Sequence, residues 1–308
     1  MKIQFIIDDS RSMKIWDDQI FRITESFLNV GNEYVKNIIV LDNVFLNDFS
    51  KDLIIPDVIY IIITDYVGSF WGTLESYSFL ETLSENNYTS IINVLPSRIY
   101  KRTSLEDTYL VKFITNTNKS NTGLVSDIDD FFLTETDFVD SLRIPMMNVD
   151  NISSKNWFLS YLGKKDCWLF GIVIPKEEIV EETESTNDKK NTTLQIIQYF
   201  NVSVPPSGRK LAYYLSIMDV FSLDIMKFFA DELVPDASRL DLAEVFLNGL
   251  LIKKDSDSDV QLYQFKPGVQ KMLFDNLTSE FARYFTANYK EELILKMKPY
   301  GLTPSFFL

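Results

Sequence analysis

An apolar run near the start of the chain, Ile3 to Ile7, passes directly into Asp8, Asp9, Ser10, Arg11 and Ser12. Asp8-x-Ser10-x-Ser12 sets a carboxylate and two hydroxyls at alternate positions of a tight loop. Such a loop can present both hydroxyl oxygens to one octahedral cation. The carboxylate then holds a coordinated water, and a position stays open for a partner's carboxylate. Mg²⁺, which takes hard oxygen ligands and keeps waters, suits this arrangement. The paired acids Asp8 and Asp9 can also hold a divalent cation between them. The plainer reading is that Asp9 and Ser10 cap the helix that follows.

The elements around these residues place them at a strand end. Residues 3–7 read as a buried strand, and the spacing of Ile15, Trp16, Ile20, Ile23, Phe27 and Leu28 predicts a helix over 14–30, capped by Gly31-Asn32. KNIIVL (36–41), DVIYIIIT (57–64) and TSIINVL (89–95) read as strands, with a helix through Leu74, Tyr77, Phe79, Leu80 and Leu83 between the last two. The third stretch is apolar throughout, as in a parallel sheet covered on both faces. TYLVKFI (108–114) and DCWLFGIVIP (166–175) add two further strands. The fold class expected is α/β, a mainly parallel Rossmann-like sheet with helices on both faces. Ligands of such sheets bind beyond the carboxyl ends of the strands, where Asp8–Ser12, Thr64-Asp65 and Ser97 fall.

Composition narrows the chemistry. The chain has 308 residues, 46% of them apolar and 14% aromatic, which is enough for two domains with sizeable cores. Its net charge of −14 disfavours nucleic acid and anionic membrane surfaces as partners. It has no histidine, which excludes Ser-His-Asp and Cys-His catalysis and histidine-bound zinc. The one cysteine, Cys167, reads as a small buried hydrophobe, and a lone cysteine allows no intrachain disulfide. No P-loop and no G-x-S-x-G are present, so no enzymatic activity is expected. No apolar run approaches the length of a bilayer span, and a cytoplasmic location is expected.

The charged, Ser/Thr/Asn-rich stretch 176–193 reads as a linker between an α/β domain (1–175) and a helical domain (194–308). In the second half, three short amphipathic helices, with Ser222 and Ser238 as N-caps, precede two strands joined by an acidic turn. A further helix spans KPGVQKMLFDNLTSEFARYF. Three helices followed by a hairpin is the order of a winged-helix unit. Asp241 and Glu244 on its third helix and the acids of the wing would repel DNA phosphates, which favours a protein-binding role.

Asp8-x-Ser10-x-Ser12, with Asp65 in IIITDYVG, resembles the metal-ion-dependent adhesion site of the von Willebrand factor A (vWA) family. That family often carries T-D-G or S-D-G at the second position. The resemblance implies Mg²⁺ held by Asp8, Ser10, Ser12 and Asp65. The family's metal-binding Thr has no counterpart in 42–56, which leaves the site either truncated or lost. FIIDDSRSM and PDVIYIIITD also resemble a response-regulator receiver, with Asp65 as phosphoacceptor, Ser97 as the hydroxyl residue and Lys112 as the lysine. Fused to a winged helix, that would be a transcription regulator. DDSRSMKIW, ITDYVGSFW, INVLPSRIYKRTSL, SGRKLAYYLS, LAEVFLNGLL and YQFKPGV together resemble bacterial proteins with a divergent vWA-like domain and a winged-helix-like unit. Those occur with MoxR-type AAA+ ATPases or other NTPases in conflict and antiphage systems. This resemblance implies an adaptor whose partner is such an NTPase or an effector. Arg98, Lys101 and Arg102 around Tyr100 are the candidate partner-binding residues. The apolar tail PSFFL is a candidate for docking on the body or on a partner.

Overall fold

The computed structural model describes residues 1–106, 108–114, 120–126, 141–148, 154–162, 168–175, 193–254, 261–277 and 279–298. The readings of Cys167, of the linker 176–192, of the acidic turn 255–260 and of the C-terminal tail lie outside these residues. The chain divides into two compact units, Met1–Glu184 and Ser185–Leu308.

The first unit is α/β. Strand β1 (Lys2–Ile7) leads through a 3₁₀ turn, Arg11–Trp16, into helix α1 (Asp17–Tyr34). Two short strands follow, β2 (Ile39–Val40) and β3 (Val44–Phe45), and then two 3₁₀ turns, Leu46–Asp48 and Lys51–Leu53. Next come β4 (Val58–Thr64), α2 (Leu74–Asn86), β5 (Thr89–Asn93) and a 3₁₀ turn at Ser97–Arg102. Strands β6 (Tyr109–Ile114), β7 (Val125–Ser126) and β8 (Leu142–Asn148), helix α3 (Ser154–Tyr161) and strand β9 (Trp168–Ile174) complete the unit. The sheet runs β2-β1-β4-β5-β8-β9-β6-β7, with β3 also on β1. Pairing is parallel from β2 to β8 and antiparallel from β8 to β7. Every residue of β4 and β5 is buried, as strands covered on both faces require.

Along the parallel part, strands taken in chain order stand second, first, third, fourth, fifth. That is a doubly wound order whose switch point lies between β1 and β4. The chain leaves β1 toward one edge and returns to β4 on its other side. The two connections diverge there and leave a crevice at the carboxyl ends, where Asp8 and Asp65 fall.

Three expectations change. Gly31 does not cap α1, which continues to Tyr34. A Cβ at Gly31 would strike Ile38 and Phe158, so this glycine serves packing against α3. Of KNIIVL only Ile39 and Val40 form the strand, with the Leu41 amide still bonded to the Ile3 carbonyl at 2.8 Å; Asn37, at φ 68°, turns the chain and delays its start. Strand β8 has no counterpart in the sequence reading. A proline inside a run argues against a central strand, yet Pro145 sits in one, opposite Gly171 of β9. A Cβ at Gly171 would lie 2.5 Å from the Ile144 carbonyl oxygen and against the Phe113 ring, so only glycine lets these strands close.

An aromatic cluster fixes α1 and α3 to each other and to the sheet. Phe27 of α1 meets Phe5 of β1 and both Trp157 and Phe158 of α3, with ring centroids 5.4–6.3 Å apart. The two edge-on pairs, Phe27 with Phe5 and with Trp157, add about 0.5–1.5 kcal/mol each beyond the area they bury. The Ser26 and Ser154 hydroxyls join 3.0 Å apart beside them.

The second unit is mostly helical: α4 (Thr193–Ser203), α5 (Pro206–Leu215), α6 (Leu223–Leu233), α7 (Arg239–Leu247), α8 (Val269–Phe274), α9 (Ser279–Asn288) and α10 (Lys290–Met297). A small antiparallel sheet, in the order β10-β12-β11, is formed by Phe221–Ser222, Leu262–Phe265 and Leu251–Lys254. Ser222 caps α6 through the Ile225 amide, and Ser238 with Asp241 forms a reciprocal capping box on α7. The helix read over KPGVQKMLFDNLTSEFARYF is two, α8 and α9, separated around Asp275–Leu277. The acids of the third helix do not stand on an open surface. Asp241 and Glu244 of α7 are buried, and Asp241 accepts from the Ser238 amide at 2.7 Å and the Ser207 hydroxyl at 2.8 Å. Asp241 holds the helix in place, and neither acid is open to an approaching phosphate. Residues 241–245 are all buried, so α7 lacks the open face a groove-reading helix needs.

Candidate functional site

Asp8 is the first residue beyond β1. Its amide continues the ladder, donating to the Ile63 carbonyl at 2.9 Å. The side chain is 2% exposed and accepts three hydrogen bonds. Oδ1 takes the Ser10 amide at 2.8 Å, while Oδ2 takes the Thr64 hydroxyl at 2.7 Å and the Trp71 indole N–H at 2.6 Å. One carboxylate thus ties its own turn to the end of β4 and to the turn before α2. Thr64 in turn accepts the Tyr66 amide at 2.9 Å.

Asp65, one residue past β4, is equally buried. Its Oδ1 accepts the Val67 amide at 3.0 Å, and the Ser12 hydroxyl also bonds to it. Ser10 and Ser12 meet with their Oγ atoms 3.1 Å apart. Burial pushes the Asp65 carboxyl up to about 6, and the negative charge of Asp8 adds to the rise; the bonds from Ser12 and Val67 oppose it.

The residues Asp8, Ser10, Ser12 and Asp65, singled out in the sequence, therefore come together at the switch point. Asp9 does not join them: it turns out to Asn47, accepting its side-chain amide at 2.5 Å. The capping reading meets a different geometry. Ser10 stands at the N-cap position of the 3₁₀ turn, yet its side chain makes no capping bond and pairs with Ser12 instead.

Close approach shapes the loop opposite. A Cβ at Gly68 would lie 3.1 Å from the Ser10 Cβ, so glycine keeps the two turns together. Tyr66 adopts φ 57° at the position after Asp65, a left-handed conformation uncommon outside glycine, asparagine and aspartate. In the T-D-G pattern of the resemblance that position is glycine. Here the buried tyrosine packs at a tilt against Trp71 with centroids 4.3 Å apart. Burial and the nearby Asp8 charge raise its phenol well above the ordinary range.

Arg98, Lys101 and Arg102 lie on the 3₁₀ turn that follows the carboxyl end of β5, and buried Ile99 and Tyr100 anchor that turn. They stand on the same edge of the sheet as the cluster, as does Ser97. Arg98 and Lys101 are exposed and Arg102 is half-buried. Lys112 is not brought there. It sits on β6, three strands beyond β5, with its ammonium 4.9 Å from the centre of the Trp168 ring. At about 4.8 Å per strand that is roughly 14 Å from β5 across the sheet. The receiver reading thus loses its lysine.

The sequence places Thr64 at a strand end but does not show that it and Trp71 hold Asp8. A threonine before the second aspartate and a tryptophan before a glycine are signals too common to weigh alone. Their role follows from the fold, which folds both side chains onto Asp8.

The donor set suits a hard cation. The Ser10 and Ser12 hydroxyls are paired, Asp65 adjoins Ser12, and Asp8 Oδ1 has room for one more contact beside the Ser10 amide. Among the described residues no three or more His, Cys, Asp or Glu side chains gather as a metal cluster. Any cation here rests on hydroxyls and water as much as on carboxylates. Also among the described residues, no helix is long and apolar enough to cross a membrane.

Comparison with protein-family models, with curated proteins and with solved structures finds no match in any of the three.

Proposed function

We propose that this chain is a non-catalytic protein-interaction adaptor whose α/β unit engages its partner at the carboxyl edge of the sheet. The observation that carries this reading is the convergence of Asp8, Ser10, Ser12 and Asp65 at the switch point. Asp8, Ser10, Ser12 and Asp65 would hold Mg²⁺, with Asp8 also keeping the turn in place. When bound, the cation supplies an open position for a partner's carboxylate. Arg98, Lys101 and Arg102 give positive charge on the same edge. The partner class, a MoxR-type AAA+ or other signalling NTPase or an effector in a conflict or antiphage system, follows from the resemblance alone.

The second unit fits a winged-helix module. The order helix, strand, two helices and two strands, with β12 between β10 and β11, supports that reading. Burial of α7 favours protein over DNA as its partner.

A phosphoacceptor role for Asp65 is the second reading, and the strand order second-first-third-fourth-fifth favours it. The burial of Asp65 and the remote position of Lys112 oppose it.

One experiment separates them. The tagged chain is purified from its native host with and without EDTA, beside a Ser10→Ala/Ser12→Ala variant, and co-eluting proteins are identified. The adaptor reading expects a partner that both EDTA and the double variant release. Recovery of nucleic acid in place of protein would overturn it, and modification of Asp65 by acetyl phosphate would establish the second reading.

A further inference from the structure

Beside the switch point lies a groove that the cation reading does not use. It encloses about 420 Å³ between the two 3₁₀ turns at 46–54 and helix α2. Its apolar lining is Leu46, Phe49, Ile54, Phe70 and Phe79. The aromatic members are linked: Phe49 meets Phe79 at 5.2 Å, Phe79 meets Phe70 at 5.7 Å, and Phe70 meets Trp71 at 5.2 Å between centroids. Phe49, Phe70 and Phe79 are only half-buried, so their faces are available. Phe45, Leu53 and Leu74, each next in sequence to a lining residue, are exposed apolar side chains. Exposed apolar surface concentrated in this way marks binding surfaces.

Acids outnumber bases around it. Glu75 and Lys51 both line the groove, and Asp48 and Asp52 are exposed on the two turns that form its wall. An aromatic floor with an acidic rim complements an occupant that carries apolar anchors flanked by Lys or Arg. The volume is large enough for two or three anchoring side chains, and apolar anchors at helical spacing entering such a groove are a recurrent mode of recognition.

We propose that this groove is a docking site for a basic amphipathic segment of a partner protein. It is separate from the cation site in chemistry, since a basic segment needs no metal. It adjoins that site in space, since Asn47 both lines the groove and holds Asp9. A partner can therefore contact both.

The test uses the full chain and a short fluorescein-labelled amphipathic helix of leucine and lysine with an amidated C-terminus. A second peptide replaces each leucine by serine and keeps the charge. Saturable binding of the first is expected, with the serine peptide and the Asp48→Lys/Asp52→Lys variant each weaker by about tenfold or more, a 1.4 kcal/mol change per factor of ten. The variant Glu25→Lys/Glu33→Lys alters the same charge on exposed positions of α1 and is expected to bind within about twofold of wild type, as screened distant charges should. A benzophenone placed on the leucine face is expected to crosslink to residues 46–54 and 70–82. Equal weakening by the α1 variant, equal binding of the serine peptide, crosslinks elsewhere, or no saturable binding would each overturn the proposal. EDTA should leave peptide binding unchanged, so failure here and failure of the cation reading are told apart.

Discussion

The indole N–H of Trp71 donates to Asp8 Oδ2 at 2.6 Å, with both side chains buried. This bond fastens the turn before α2 to the end of β1. Trp71→Phe keeps most of the ring and removes the donor, which leaves a buried carboxylate one partner short. A loss of about 1.5–3 kcal/mol is expected for a hydrogen bond to a charged group. Urea unfolding of the variant against wild type measures it.

Asp65 gives the fold a pH dependence of defined sign. Its folded value of about 6 lies above the ordinary 3.8, so the folded state holds the proton more tightly than the unfolded chain. Stability contributed by this group therefore falls as pH rises from about 4 to about 6, and the full cost of the buried charge stands above that. A shift of about two units corresponds to roughly 3 kcal/mol. Asp65→Asn is expected to be more stable than wild type at pH 7 and to lose this slope. Chemical denaturation at pH 4.5, 5.5 and 7 reads both.

Mg²⁺ binding should follow the same group in the opposite sense, because a cation takes the ionised carboxylate. The rise in melting temperature on adding Mg²⁺ or Mn²⁺ is expected to be larger at pH 7 than at pH 5. It should be absent in Ser10→Ala/Ser12→Ala. An equal rise in the double variant would place the cation elsewhere.

Gly171→Ala tests the closure of β8 on β9. The added methyl group meets a backbone carbonyl, which cannot move aside without opening the sheet. A destabilisation of about 2–3 kcal/mol is expected, at the upper end of overpacking costs. A variant within 0.5 kcal/mol of wild type, about the noise of a surface change, would contradict the strand pairing.

Much of the parallel half was legible because its signals are local. An apolar run that ends in acids, as at Ile7-Asp8 and Thr64-Asp65, shows both the strand and its functional end. The capping residues Ser222 and Ser238 mark their helices equally well. β8 was not legible, since a proline inside a run argues against a strand, and its pairing with β9, Pro145 opposite Gly171, is long-range. The cluster was read as a ligand set, and all four of its residues meet. That Asp8 is held by Thr64 and Trp71 depends on long-range folding that no spacing rule encodes. The burial of Asp241 and Glu244 was hidden for the same reason: charge on paper says nothing about which way a helix turns.

The sheet order also has a consequence for synthesis on the ribosome. β9 is made after every other strand of its sheet, yet it lies inside it, with β8 on one side and β6 on the other. A nascent chain that has emerged only as far as β8 can assemble the parallel half from β2 to β8. β6 and β7 can pair with each other but have no strand that joins them to that half, and Val111 and Phe113 of β6 are buried in the finished unit. The unit must then close in a late step, when β9 inserts and recruits strands made long before it. Until that step the chain presents unpaired strand edges to its neighbours, the circumstance in which chaperones act on a growing polypeptide.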